Sequence, residues 1–130
     1  MRQPALTTTA AYQALAAHHI DIQDKTLRQL FAAAPKRFEA MSLDAAGLYL
    51  DYSKNRLTAD TIALLANLAR TRGVEQRRDA MFTGEKINTT EGRAVLHTAL
   101  RMPRGKALNV AGQDVAADVH AVLDLSLIHI

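Results

Sequence analysis

Arg93, His97 and Arg101 stand four residues apart, a spacing that on a helix would bring two guanidinium groups and an imidazole onto one face. Such a stripe could meet an anion or another part of a larger protein, and standing alone it reads as a solvated face. His18 and His19 raise a metal reading, but adjacent helical residues point about 100° apart and helical chelation needs partners three or four positions away. Asp21 and Gln23 are the only nearby oxygens at a useful distance, so the pair reads as a solvent-facing helix end. Ser42, Ser53, His97 and His120, with several aspartates, include the residue types of a serine triad, yet none lies in a nucleophile-elbow context. The glycines, Gly47, Gly73, Gly84, Gly92, Gly105 and Gly112, stand singly, so no Gly-rich loop can wrap a phosphate. Arg70, Arg72, Arg77 and Arg78 concentrate positive charge, but Glu75 and Asp79 interrupt them and no aromatic residue interleaves to stack on bases.

The composition bounds the background for these residues. A chain of 130 residues that is 48% hydrophobic and 22% charged has the composition of a globular domain. Its formal charge of +3 calls for no polyanionic partner. With no cysteine, disulfides, zinc–thiolate sites and thiol nucleophiles are excluded together. Met1-Arg2-Gln3-Pro4 leads into Thr7-Thr8-Thr9 rather than an apolar run, and no stretch approaches the length of a membrane span, so the chain reads as cytoplasmic.

The elements that must position these side chains are mostly helical. The threonine run offers caps for a helix over Ala10–His19, and Asp24 could cap a second over Lys25–Ala34 with Leu27, Leu30, Phe31 and Ala34 on one face. Pro35 ends or restarts it, and Lys36–Met41 reads as a short helical piece. Leu48, Leu50 and Tyr52 alternate with Tyr49, Asp51 and Ser53, the pattern of a strand. Thr58 is placed to cap a helix whose apolar face is Ile62, Leu65, Leu68 and Ala69, with Arg70, Arg72 and Gly73 as its C-terminal signature. A helix over Val74–Phe82 stops near Gly84, and Thr90-Glu91 opens another running to about Leu100. Leu108-Asn109-Val110 and Asp114-Val115 flank Ala111-Gly112-Gln113 as a small hairpin, before a helix over Ala116–Leu123. The expected fold is one compact segment, mostly α with a short strand and a small β-hairpin.

The run from Gly84 to Arg101, G-E-K-I-N-x-T-E-G-R-A-V-L-H-x-A-L-R, closely resembles a block near the N-terminus of glucose-6-phosphate isomerases. Leu48 to Arg56 resembles that family's strand and turn, L-x-L-D-Y-S-K-N-R, and Pro35-Lys36-Arg37-Phe38 agrees upstream, although Ala34 stands where the family often has an acidic residue. Asn109-Val110-Ala111-Gly112, Asp114-Val115 and Val119 to Leu123 resemble the family's hairpin and following helix, so the resemblance covers about Leu6 to Asp124. It implies an α/β parent with sugar-isomerase domains lying beyond this chain. It further implies a homodimer interconverting glucose 6-phosphate and fructose 6-phosphate in glycolysis and gluconeogenesis, without metal or organic cofactor. There a glutamate moves a proton through an enediol, a histidine and a lysine assist ring opening, and a Gly-Gly-Ser segment and a Ser/Thr-rich loop hold the phosphate. All those residues lie beyond the matched region. Glu85 and Glu91 inherit no role, and no catalytic, cofactor-binding or metal-ligating residue is assigned in this chain, which alone is expected to be inactive.

In the whole enzyme this region would pack against other domains, so Val119, Val122 and Leu123 are expected to lack partners. After Asp124 the resemblance ends in Leu125-Ser126-Leu127-Ile128-His129-Ile130. The codons CTG-TCT-CTT-ATA-CAC-ATC would encode these residues and resemble the end of a transposase-based sequencing adapter. The expectation is a foreign tail on residues 1–124, which an uninterrupted reading frame at the locus would bear out and a stop codon after Ile130 would refute. A reading from another class is a small basic helical module for a polyanion or protein partner, built on the Arg70 to Arg78 cluster and the Arg93/His97/Arg101 stripe.

Overall fold

Thr9 caps the first helix as its spacing predicts: its side chain accepts from the Tyr12 N–H at 3.3 Å, and α1 (Ala10–Ile22) runs nearly a turn beyond the expected end. The computed structural model describes residues 4–128. Thr26, rather than Asp24, caps α2 (Leu27–Ala33), because Gln29 sits three positions on and closes a reciprocal capping box with it. After Pro35 comes the single turn α3 (Arg37–Ala40). Strand β1 (Ser42–Ala45), which its own residues do not announce, pairs antiparallel with the expected strand β2 (Leu48–Asp51), Leu43 opposite Leu50 and Ala45 opposite Leu48. Gly47, at φ +74°, helps make the tight connection.

Helix α4 (Ala59–Thr71) opens on Thr58, which forms a second capping box with Thr61. It packs on α1, with Thr61 buried and Leu64 and Leu68 half-buried. Ile62 and Leu65, expected on the inner face, are instead exposed. One compact unit ends at Arg72 and a second begins at Gly73, so the single segment expected from the sequence is two.

Gly73, at φ +70°, starts the second unit and α5 (Val74–Phe82). The helix expected from Thr90 to Leu100 is absent. Asn88 and Arg93 form an isolated antiparallel bridge, exchanging backbone hydrogen bonds at 3.1 and 3.2 Å, and a short 3₁₀ turn over Ala99–Arg101 follows. The reason is local: the Asn88 side-chain oxygen accepts from the Thr90 hydroxyl and the Glu91 N–H, and Gly92 takes a left-handed φ of +65° that closes the turn. Strands β3 (Asn109–Val110) and β4 (Gln113–Asp114) form the expected hairpin around Ala111 and Gly112, both at positive φ. Helix α6 (Val115–Ile128) continues past Leu123.

The core of the second unit is small. Ala99, Leu108 and Ala116 are buried, with Leu96, Met102, Val110, Val115 and Val119 against them. Gly84 belongs to this packing, for a Cβ there would lie 2.7 Å from Val110 Cγ2. Val119 therefore has partners, whereas Val122 and Leu123 are exposed. Many large apolar side chains stand exposed, among them Ile20 at 66%, Leu48 at 73% and Val122 at 65%. Much apolar surface is thus unburied.

Candidate functional site

The most constrained polar group in the first unit is Arg37, 2% exposed. Its Nε donates to the Ser53 carbonyl at 2.7 Å, and Nη2 donates to the carbonyls of Asn55 and Leu57, both at 2.8 Å. A guanidinium can do this because its donors lie in a rigid fork, and the backbone oxygens of the 53–57 turn converge on it. Phe31 lies beneath, its ring centroid 5.6 Å from Cζ. At the other end of the turn Ser53 donates its N–H to Asp51 at 2.9 Å. The Ser53 side chain first, and this N–H second, hold the Asp51 carboxyl below its ordinary value. The result is a fixed turn presenting Lys54, Asn55 and Arg56 to solvent, and Arg56 donates to the carbonyls of Gln23 and Lys25. An apolar groove of about 760 Å³ runs beside α2 and α3, lined by Leu30, Ala33, Pro35 and Met41 with Lys25 and Lys36 among its residues.

His18 is not the solvated helix end its position implies. Its Nε2 lies 2.7 Å from Thr61 Oγ1, tying α1 to the capping box of α4, while His19 is exposed. Thr61 Oγ1 also accepts the Thr58 N–H and lies 3.2 Å from Thr58 Oγ1, so one hydroxyl joins the helix cap to His18. Neither histidine has the partners of a metal site, and among the described residues no group of three potential ligands gathers.

The other singled-out residues are spread among structural tasks. Ser53 is buried in the turn, Ser42 begins β1, and His120 Nε2 meets the Met102 carbonyl at 3.1 Å. Among the described residues no serine hydroxyl bonds a histidine. Arg93 lies in the Asn88 bridge, His97 precedes the 3₁₀ turn and Arg101 ends it, so the expected helical stripe does not form. Of the basic cluster, Arg72 donates to the Pro4 carbonyl, Arg77 to the Ile87 carbonyl, and Arg78 pairs with Asp79. These three guanidiniums each have a partner within the chain, and no observation favours a polyanion surface. Nothing in the local pattern around Arg37 marks it as buried; its carbonyl partners stand 16 to 20 positions away.

The sequence profile described as Phosphoglucose isomerase matches residues 51–127, from the Asp51 turn through most of α6. The chain belongs to the phosphoglucose isomerase family. The match passes Asp124 and takes in Leu125-Ser126-Leu127. Among similar proteins, a glucose-6-phosphate isomerase of Deinococcus radiodurans is 59% identical over 119 residues, which are 92% of this chain and 22% of that protein. One from Mycolicibacterium smegmatis is 58% identical over 119 residues, again 92% of this chain and 22% of the relative. One from Anaeromyxobacter sp. is 56% identical over 123 residues, 95% of this chain and 22% of its own length. The chain therefore spans about a fifth of the phosphoglucose isomerases it matches.

Proposed function

We propose that this chain is a scaffold segment of a cytoplasmic, homodimeric isomerase that interconverts glucose 6-phosphate and fructose 6-phosphate, and that the groups moving the proton lie outside it. The observation that carries this reading is the 59% identity over 92% of the chain to a glucose-6-phosphate isomerase of which it covers 22%. The geometry supports the scaffold role. Its most extensively hydrogen-bonded polar groups, Arg37 and the His18/Thr58/Thr61 set, are occupied with backbone carbonyls and helix caps. A proton carrier needs to reach the reacting carbons, and an oxyanion or phosphate cradle needs convergent donors. Arg37 has turned its donors inward to the protein's own carbonyls. On this reading the segment performs no turnover alone and contributes by shaping and supporting the rest of the enzyme in its glycolytic and gluconeogenic reaction.

The test is a hybrid in which residues 4–124 replace the matched stretch of the Deinococcus radiodurans protein. The hybrid is expected to interconvert the two sugar phosphates at a rate within about tenfold of the parent, since a scaffold exchange leaves transition-state contacts in place. A soluble, folded hybrid without turnover would refute the reading.

A further inference from the structure

The β1–β2 hairpin carries an apolar face that no other described residue covers. Because strand partners share a face, Leu43 and Leu50, opposite one another, line up with Ala45 and Leu48 on one side, while Ser42, Asp44, Tyr49 and Asp51 take the other. On the first side Leu43 is 52% exposed, Leu48 73% and Leu50 55%, and Ala45 is exposed too. The second side is mixed, and Tyr49 there meets Phe38 with ring centroids 6.4 Å apart. A lone two-stranded hairpin is marginal in water, and one whose wholly apolar face is wet is more so.

We propose that this face is the dock by which the segment joins the remainder of a phosphoglucose isomerase chain, which would lay an apolar surface over Leu43, Ala45, Leu48 and Leu50. The inference rests on reading the chain as a segment of such an isomerase. Two observations single out that occupant. The matched relatives leave nearly four-fifths of their length uncovered by this chain, so a large body of protein is available to the hairpin. A second copy fits poorly, because four residues on two strands give a footprint of about 13 by 10 Å, which even trebled for side-chain relief falls well below the ~800 Å² per partner of a stable complex. A patch that size is useful only when its partner is held nearby by the chain itself, where effective concentration replaces intrinsic affinity.

The chain has no cysteine, so a thiol introduced on this face is the only one the segment carries, and its labelling is read on the peptide that contains it. Ala45→Cys and Leu48→Cys, made separately in the isolated chain and in the hybrid described above, are labelled with a soluble maleimide, and each rate is normalised to that of the same protein unfolded in urea. Labelling near the unfolded rate is expected in the isolated chain, and labelling at least about tenfold slower in the hybrid. Equal rates in the two would overturn the proposal. Slow labelling already in the isolated chain would also overturn it, by assigning the face to this chain itself. Cysteines at the aligned positions of the unaltered Deinococcus radiodurans protein give the same readout should the hybrid fail to fold: protection supports the dock and free reactivity rejects it. A hybrid that is active but labels freely rejects the dock alone, whereas a folded hybrid that is protected but inactive rejects the functional reading alone.

Discussion

Arg37 shows how one side chain can organise a turn without touching any ligand. Three carbonyls of the 53–57 turn take its donors, and its near-complete burial means water cannot replace them. Arg37→Met should therefore lower the unfolding free energy by about 2–4 kcal/mol in urea titrations, with Arg37→Lys recovering only part, since an ammonium cannot match the fork. Gly84 tests backbone and packing together. Gly84→Ala places a Cβ at φ +78° and 2.7 Å from Val110 Cγ2, and should cost about 1–3 kcal/mol. Adding Val110→Ala removes the clash and should make the pair less than additive. Gly112→Ala, also at positive φ but in open space, should show only the backbone part. Asp51 supplies a pH dependence. Its folded pKa lies below the ordinary aspartate value, so its stabilising contribution is present above that ordinary value and is lost as pH falls through the lower folded one. Asp51→Asn should flatten that acid limb of a stability–pH curve, and an unchanged curve would show that Ser53 does not stabilise the carboxylate.

At the scale of elements, the legible parts are those whose signal is local. Thr9 and Thr58 cap helices as their positions predict, and Ala111-Gly112 turns a hairpin, because a cap oxygen or a left-handed glycine acts within four residues. The stretch after Gly84 misled for the same reason in reverse. Thr90-Glu91 resembles a helix start, but Asn88 is near enough to take the Thr90 hydroxyl and Glu91 N–H first, and Gly92 then bends the chain back to a bridge. What the sequence does not display is contact at a distance. Strand β1 alternates over only four residues, Ser42 to Ala45, with no β-branched or aromatic member, so it is defined by pairing with β2, and His18 meets a threonine 43 positions away. That last contact can be measured. A double-mutant cycle of His18→Ala and Thr61→Val should give a coupling of about 0.5–1 kcal/mol, because the bond ties α1 to the first turn of α4; zero coupling would return His18 to the solvated role its position implied.

At the scale of the whole molecule, apolar surface and sparse core belong to one account. The chain has two units with few fully buried side chains, and exposed leucines on β1, β2 and α6 together with Val122 on α6. Family membership gives that surface a meaning, since about four-fifths of each relative lies outside the match. The block from Gly84 to Arg101 carries the family resemblance, while the helical face expected for Arg93, His97 and Arg101, read as a solvated one, is not built by the backbone. A motif can thus be diagnostic through the turn it specifies, the Asn88–Gly92 turn here, rather than through side chains aligned for reaction. The central claim is that this segment supports an isomerase without carrying its chemistry. The most direct measurement is a coupled assay supplying fructose 6-phosphate to the purified chain alone, with the hybrid enzyme as the positive comparison. The account predicts turnover by the hybrid and none above background by the chain, and glucose 6-phosphate formed by the isolated chain in proportion to its concentration would contradict it.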